Sequence, residues 1–484
     1  MSIKNKIITG TVSVGTGQVL SNALSFIRNI IIARLLSPGD YGVAALFALT
    51  IQFFEMLSNL SAQTLLVQAD YGDEKDFGGM VHYVQLLRGI AAAAIIFLTG
   101  GFLANLFSVP EAKWAFRILA LVPVMRGLVH QDMNRLHREY RFLPMVITEN
   151  TAGLVSTLGA IPICLAVRNY YAALWILVLH SVVMSAVSHL VAERKYHIKP
   201  YWKYAGRIFN FGWPLLLNGF LMFIIFQGDR FIIGSSKKIF LNSGYSLEVL
   251  GFYSVAFAVT LTPSIMISRI FHSLFLPFLS QVKSDTVTFL RRYRLVFIAM
   301  SLILGVFTLL FILGGGHIIN LVYGKKYAEA ASVIGILGIM QGVRLLKVVP
   351  IIAAISVGDT KNPLVSNAFR VTGFIGAVAC AFYGLSYIWI AVFGVVGEVI
   401  GAAASIIRIK VIHNIPIASS LVPASIVFCF LAISVVFGRF YDYPAPLFKF
   451  VAFYVVTCLL MCGSFAFYFK KFRFEFEYFK KPSK

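Results

Sequence analysis

Fourteen apolar stretches, each long enough to cross a bilayer, fill this chain almost from end to end. They run 10–33, 43–67, 79–107, 114–133, 143–167, 170–191, 209–234, 250–278, 293–314, 329–356, 364–384, 386–407, 418–438 and 447–468. A spanning helix needs about 20 mostly apolar residues. A mean hydropathy of +0.83 with only 13% charged residues is not a soluble composition. The breaks are short, the longest about 15 to 20 residues, which leaves no room for a soluble domain. The fold expected is all-α and integral to a membrane, with about 14 transmembrane helices. Its work is then done inside those helices.

The formal charge of +22 comes from 42 Lys and Arg against 20 Asp and Glu. In a soluble chain such an excess points to nucleic acid. Here the basic residues follow topology instead, and no nucleic-acid partner is expected. Counted from the N-terminus, alternate breaks hold Lys4 and Lys6, then Arg135, Arg138 and Arg141, then Arg194, Lys195, Lys199, Lys203 and Arg207. The same side holds Lys283, Arg291, Arg292 and Arg294, and the C-terminal Lys470, Lys471, Arg473, Lys480, Lys481 and Lys484. The other side has little beyond Lys113, Arg168, Lys237, Lys238, Lys325, Lys326, Arg439 and Lys449. The positive-inside rule puts the richer side in the cytoplasm. Both termini are then cytoplasmic, as an even number of crossings requires. One break departs from the pattern: 68–78 is acidic, with Asp70, Asp73, Glu74 and Asp76. Acidic residues carry little weight in orientation. Alkaline phosphatase fused after Lys484 is expected to be inactive, and a cytoplasmic green fluorescent reporter there to glow. An active phosphatase at that point means an odd number of crossings or an inverted topology.

No cleavable signal peptide is evident, because the first apolar stretch is long, is interrupted by Arg28 and has no small-residue cleavage site after it. The five cysteines, Cys164, Cys380, Cys429, Cys458 and Cys462, all lie in apolar runs and none forms a CxxC pair. They read as packing residues.

A weak but ordered internal repeat runs through the chain. LSNALSFIRNIIIARLL (20–36) resembles LNGFLMFIIFQGDRFII (217–233), and YGVAALFALT (41–50) resembles GFYSVAFAVT (251–260). NLFSVPEAKWAF (105–116) resembles NLVYGKKYAEAA (320–331), and FLPMVITENTAG (142–153) resembles NPLVSNAFRVTG (362–373). Six helices separate the copies, so both halves share one orientation. Parallel repeats of this kind are related by an axis along the membrane normal, with a central site between two lobes. The expected division is an N-terminal lobe of helices 1–6 over 1–207 and a C-terminal lobe of helices 7–12 over 208–411. Helices 13 and 14 with a basic tail occupy 412–484. Pro214, Pro263, Pro277 and Pro350 mark bends that neighbouring groups can rescue. Gly397 to Gly401 forms a GxxxG, which allows close helix approach.

Charges inside the spans are the sharpest signal. Each costs at least about 2.5 to 3.5 kcal/mol at a helix centre on insertion scales, so it faces a cavity or a partner. The first half holds Arg28, Glu55, Arg88, Arg117, Arg126, His130 and Glu149. The second holds Asp229, Arg230, Arg269, His272, Arg344, Lys347, Arg370 and Glu398. A pathway with that cationic excess attracts anions, and the planar fork of arginine suits phosphate best. The blander reading is that Arg34, Arg117 and Arg230 snorkel to the interface, that Asp229 and Arg230 neutralise each other, and that the histidines pack between helices. Arg28 lies deeper in its helix, and Arg344, Lys347 and Arg370 fall in two successive helices as a shared cationic wall.

The chain has no GxxxxGK[ST] for ATP, no DxD of the kind many sugar-nucleotide transferases use, and neither HExxH nor GxSxG. No cofactor, metal or catalytic residue is expected, so energy comes from a gradient or from the substrate's own concentration difference.

FIRNIIIARLLSPGDYG (26–42), followed by a helix ending SAQTLLVQ, resembles the first two helices of the polysaccharide-transport (Wzx-type) flippases. QGDRFIIG (227–234), LGFYSVAFA (250–258) and LVYGKKYAEAA (321–331) resemble their second-half motifs. These proteins belong to the multidrug/oligosaccharidyl-lipid/polysaccharide exporter superfamily, and the resemblance covers nearly the whole chain. It implies a V-shaped, two-lobed transporter of the bacterial inner membrane. Such a protein carries an undecaprenyl-pyrophosphate-linked oligosaccharide from the cytoplasmic to the periplasmic leaflet by alternating access. H+ or Na+ is the implied coupling ion, and a polysaccharide polymerase and a chain-length regulator are the implied partners. Lipid II flippases often carry Arg-Asp where this chain has Arg28-Asn29, and a second Arg near the position of Asn22. Those departures make lipid II the poorer candidate.

The substrate-binding residues expected are Arg28, Arg88, Arg344, Lys347 and Arg370, at the pyrophosphate. Glu55, Asp229, Arg230 and Glu398 are the coupling or gating groups. A gradient-driven exporter of small amphipathic compounds is the alternative, though multidrug exporters bind cationic drugs with acidic residues. A membrane glycan polymerase or ligase is the third reading, but that class usually needs a large periplasmic loop.

Overall fold

The computed structural model describes the backbone of residues 3–240, 243–438 and 447–479, and side chains within 15–467. The side chains of Lys4, Lys6, Arg439 and the C-terminal basic run from Lys470 lie outside the described residues. Every regular element among the described residues is helical, as the apolar runs require. Chain contacts divide the molecule into two compact units: residues 1–254 with 381–385, and 255–380 with 386–484.

The first unit opens with α1 (Ile3–Leu35), α2 (Pro38–Ser58), the short α3 (Ala62–Gln68) and α4 (Lys75–Leu106). The SPGD turn before α2 is a built helix start. Ser37 accepts the Asp40 amide at 3.1 Å, and Pro38 sits at the first helical turn, where its missing N–H is no loss. Three short helices follow: α5 (Lys113–Ile118), α6 (Leu121–Gly127) and α7 (Asp132–Arg138). The unit continues through α8 (Leu143–Val167), α9 (Tyr171–Leu190), α10 (Ala205–Ile239) and the start of α11 (Leu247–Ser280). The second unit holds the rest of α11, then α12 (Thr286–Val322), α13 (Ala331–Ser356), α14 (Lys361–Phe382), α15 (Tyr387–His413), α16 (Ala418–Gly438) and α17 (Leu447–Phe479).

Among the described residues 12 helices are long and apolar enough to cross a membrane, so the expected count of 14 is not reached. The stretch 114–133 is the clearest departure. It is broken at 119–120 and again at 128–131. Pro123 explains the first break, because it cannot donate back into a continuous helix and is tolerated only in the first turn of α6. The first stretch does form a 33-residue helix, but its described part carries Gln18, Asn22, Arg28 and Asn29.

The outward surface is apolar, with Leu98 78%, Leu190 82% and Leu321 77% exposed. A surface of this kind is stable against lipid and not against water. Glycines let helices meet backbone to backbone inside. A Cβ on Gly89 of α4 would lie 2.4 Å from the Pro123 carbonyl oxygen. Along the α2–α10 seam, a Cβ on Gly212 would lie 2.5 Å from the Leu60 oxygen, and one on Gly219 2.3 Å from the Met56 oxygen. In the second unit α12 is central, packed by α13, α16 and α17.

Candidate functional site

In the second unit, four of the residues singled out by charge converge on one point. Glu398 of α15 is fully buried. Arg344 Nε donates to its Oε1 at 2.7 Å, and Lys347 Nζ to its Oε2 at 3.1 Å. Both cations come from one face of α13. Arg370 Nη2 reaches Oε1 from α14 at 2.5 Å. Three cations around one carboxylate leave two positive charges among apolar helices. Breaking such a buried group is costly, because the remaining charges have no water to turn to. Gln341 lies one turn earlier on α13, fully buried, with no hydrogen-bond partner for its amide among the described residues.

The GxxxG explains how Arg370 reaches Glu398. A Cβ on Gly397 would lie 2.6 Å from the Arg370 carbonyl oxygen and 2.9 Å from the Gly373 Cα. One on Gly401 would lie 2.9 Å from the Ser366 oxygen. Only glycine permits this approach of α14 and α15. Small polar side chains finish the contact: Ser366 Oγ donates to the Gly401 carbonyl at 2.8 Å, and Asn362 Nδ2 to the Ser405 carbonyl at 3.1 Å. This motif is common enough in sequence to carry no signal alone. Its role emerges only once the flanking charges are placed.

The first unit holds a second cationic group. Arg28 Nη1 donates to Ser156 Oγ at 2.7 Å, bridging α1 to α8. Arg126 of α6 pairs with Glu55 of α2. Arg88 of α4 lines a pocket of about 320 Å³ with both of them and with Glu149 of α8. Asp229 accepts the Tyr253 hydroxyl at 2.7 Å, and Arg230 donates to the Phe226 carbonyl at 3.2 Å. Neither lines the Arg88 pocket. Arg117 rests over the Trp114 and Phe97 rings at 4.8 and 5.5 Å, a cation–π seat. Arg269 and His272 are exposed.

The acidic break 68–78 finds its explanation at one end of the first unit. Arg194 Nη2 pairs with Asp73 Oδ1 at 2.8 Å, and Arg138 donates to the Ala69 carbonyl. Lys203 lies 4.0 Å from Glu74 and 3.9 Å from Asp76. Arg135 Nε donates to Asp132 Oδ1 at 2.6 Å, while the Glu193 and Arg194 amides cap Oδ2 at 2.8 and 3.1 Å. The basic residues of the breaks at 134–142 and 192–208 thus share an end with the acidic break, which supplies their counter-charge. The hydrogen bond from Arg141 holds the Glu193 carboxyl below its usual range. In the second unit, Asp359 bonds Arg408 at 3.1 Å and His413 at 3.3 Å. Burial pushes the Asp359 carboxyl up, but these bonds and the Lys361 amide outweigh it and leave it below the ordinary value.

Histidine 130 belongs to a ring cluster. His82 and His130 lie 4.7 Å apart, His130 and His189 5.3 Å, and Tyr196 touches all three. His82 accepts the Gln131 amide at 2.9 Å and bonds the His197 carbonyl at 3.0 Å. Charge counting passes over His82, Gln85 and Gln131. The signal for the first two is the polar spacing at 82, 85 and 88 on one face of α4, visible only when that helix is known to be half buried; Gln131 has no comparable signal.

The family model described as polysaccharide biosynthesis protein matches residues 31–332. An uncharacterised membrane protein in the cps region of Klebsiella pneumoniae is 21% identical over 355 residues, 72% of this chain and 70% of that protein. The succinoglycan biosynthesis transport protein ExoT of Rhizobium meliloti (strain 1021) is 30% identical over 105 residues, 22% of this chain and 21% of that protein. Among solved structures, the lipid II flippase MurJ in an inward closed conformation superposes with a TM-score of 0.69 at 16% identity. That likeness covers 96% of this chain and 99% of MurJ. An inward-facing multidrug resistance MATE transporter of the MOP superfamily superposes with a TM-score of 0.64 at 14% identity, covering 81% of this chain and 96% of that one.

Proposed function

We propose a function from one premise: this chain belongs to the polysaccharide biosynthesis protein family, and it is a multi-pass membrane protein. It acts as a flippase for a lipid-linked saccharide. The substrate is an undecaprenyl-pyrophosphate-linked oligosaccharide, a repeat unit of O-antigen, capsule or exopolysaccharide. It moves across the bacterial cytoplasmic membrane by alternating access, with both termini of the protein in the cytoplasm. The matched relatives' printed names, a cps-region membrane protein and a succinoglycan transport protein, support the polysaccharide context.

One observation carries the reading to an anionic substrate: the second unit buries three cations against a single carboxylate. The first unit repeats the excess with Arg28, Arg88 and Arg126 against Glu55 and Glu149. A carrier for cationic compounds needs the reverse sign. Arg28, Arg88, Arg344, Lys347 and Arg370 would hold the pyrophosphate. When it is absent, Glu398 holds Arg344, Lys347 and Arg370, and Glu55 holds Arg126 beside Arg88. Either carboxylate would release its guanidinium on binding H+ or Na+, which supplies the coupling. Asp229 and Arg230 would serve gating.

The test is transport. Purified protein in liposomes carrying an undecaprenyl-pyrophosphate-linked oligosaccharide in one leaflet will move it to the other. Movement is scored by accessibility to an impermeant lectin. Protein-free vesicles will not show it. If the saccharide stays where it was placed while the protein is folded and inserted, the flippase reading fails.

A further inference from the structure

The larger pocket of the first unit lies beside the Arg88 group and has no part in holding a pyrophosphate. It encloses about 570 Å³, within the range of about 300–1,000 Å³ usual for small-molecule sites. Its base is built from buried side chains: His82 and His130, with Gln131 and the Asp132–Arg135 pair. Its rim is exposed and of mixed sign, with Glu74 and Glu193 facing Lys75 and Lys195. Charges of both signs line it, so neither a simple anion nor a simple cation is selected. Carboxylates offer only acceptors, ammonium groups only donors, and amide and imidazole side chains both. A wall of this kind matches a neutral molecule dense in hydroxyl and acetamido groups.

The pocket adjoins the inner one, because Gln131 lines both. On α4, His82 lines the outer pocket, while Gln85 and Arg88 line the inner one, at successive three-residue steps along one helix face. Gln85 Nε2 donates to Gln63 Oε1 at 2.5 Å, and both residues line the inner pocket. A ligand with an anionic middle and a polyhydroxylated end fits the order: anion at Arg88, hydroxyls beyond Gln131.

We propose that this outer pocket is a saccharide subsite, which receives the glycan while the diphosphate lies on the inner cations. It thereby selects which lipid-linked saccharide the protein carries. The inference rests on the flippase reading for the identity of the carrier lipid.

Gly78 supplies a direct test. It lines the outer pocket, and a Cβ built on it meets nothing within 4 Å. A side chain at 78 therefore starts without a clash, Gly78→Trp is the substitution chosen to add bulk at the pocket, and an α-helical position gains propensity on losing glycine. Lys75→Ala with Lys195→Ala removes rim donors that hold no ion pair among the described residues. The probe is the lipid-linked saccharide fraction extracted from host cells deleted for this gene. Its control is undecaprenyl diphosphate alone. Both are titrated against full-length protein in nanodiscs by intrinsic fluorescence. The wild type will bind the glycosylated lipid roughly tenfold tighter than the bare one, and Gly78→Trp will erase that tenfold preference. Its affinity for bare undecaprenyl diphosphate will be unchanged. The Lys75/Lys195 double variant will lose part of the preference. Equal binding of the two lipids by the wild type overturns the subsite, as does a preference that survives Gly78→Trp. Failure to bind either lipid sinks the flippase reading instead.

Discussion

Glu398→Leu will destabilise the second unit by about 3–5 kcal/mol, because it leaves buried cations without their carboxylate. The substitution strips the shared partner from Arg344, Lys347 and Arg370 at once. The readout is thermal unfolding of detergent-purified protein, together with its level in the membrane. Glu398→Gln will cost less, since the amide oxygen still accepts a hydrogen bond. A fourfold change, Glu398→Leu with Arg344→Leu, Lys347→Met and Arg370→Leu, will recover stability, because apolar groups of similar volume can replace a buried ion cluster. It will not recover transport. A Glu398→Leu protein as stable as the wild type would show that the cluster does not hold α13, α14 and α15 together.

Arg28→Ala will abolish surface polysaccharide while protein level and insertion stay near normal. Arg28 sits on α1 with its guanidinium on Ser156 of α8. That hydroxyl also bonds back to its own helix, to the Ala152 carbonyl at 2.7 Å, so it does not depend on Arg28. Arg28→Lys will retain part of the activity, since lysine keeps the charge and loses the fork. Lys449→Ala, at an exposed position, will be silent. Normal export by Arg28→Ala, or failure only because the protein disappears, would make Arg28 a structural bridge between α1 and α8.

The spans were legible because their signal is local. Twenty apolar residues in a row have few other fates, and most predicted stretches coincide with single helices. The stretch 114–133 misleads because hydropathy reports burial, not continuity. Most of its residues are buried or half-buried, yet Pro123 forces a restart at Leu121. The partners of Glu398 were not legible. Arg344 and Lys347 are 54 and 51 positions away in sequence, and nothing local says which carboxylate they meet. All four residues stood out by cost, since a charge among apolar neighbours needs a reason. Cost alone named them separately and left the common centre unstated. The acidic break 68–78 was legible as an anomaly. Its explanation required knowing that Arg138 and Arg194 return to the same end.

The glycine seam between α2 and α10 has a mechanical meaning. Gly212 and Gly219 present bare backbone to the Leu60 and Met56 carbonyls. Any side chain there would take the room of that backbone, so the two glycines act as a spacer set to zero thickness and fix how near the helices stand. The Phe53 ring edge-on to Phe223 at 5.0 Å and the Gln227 amide on Gln52 are contacts that this separation brings within reach.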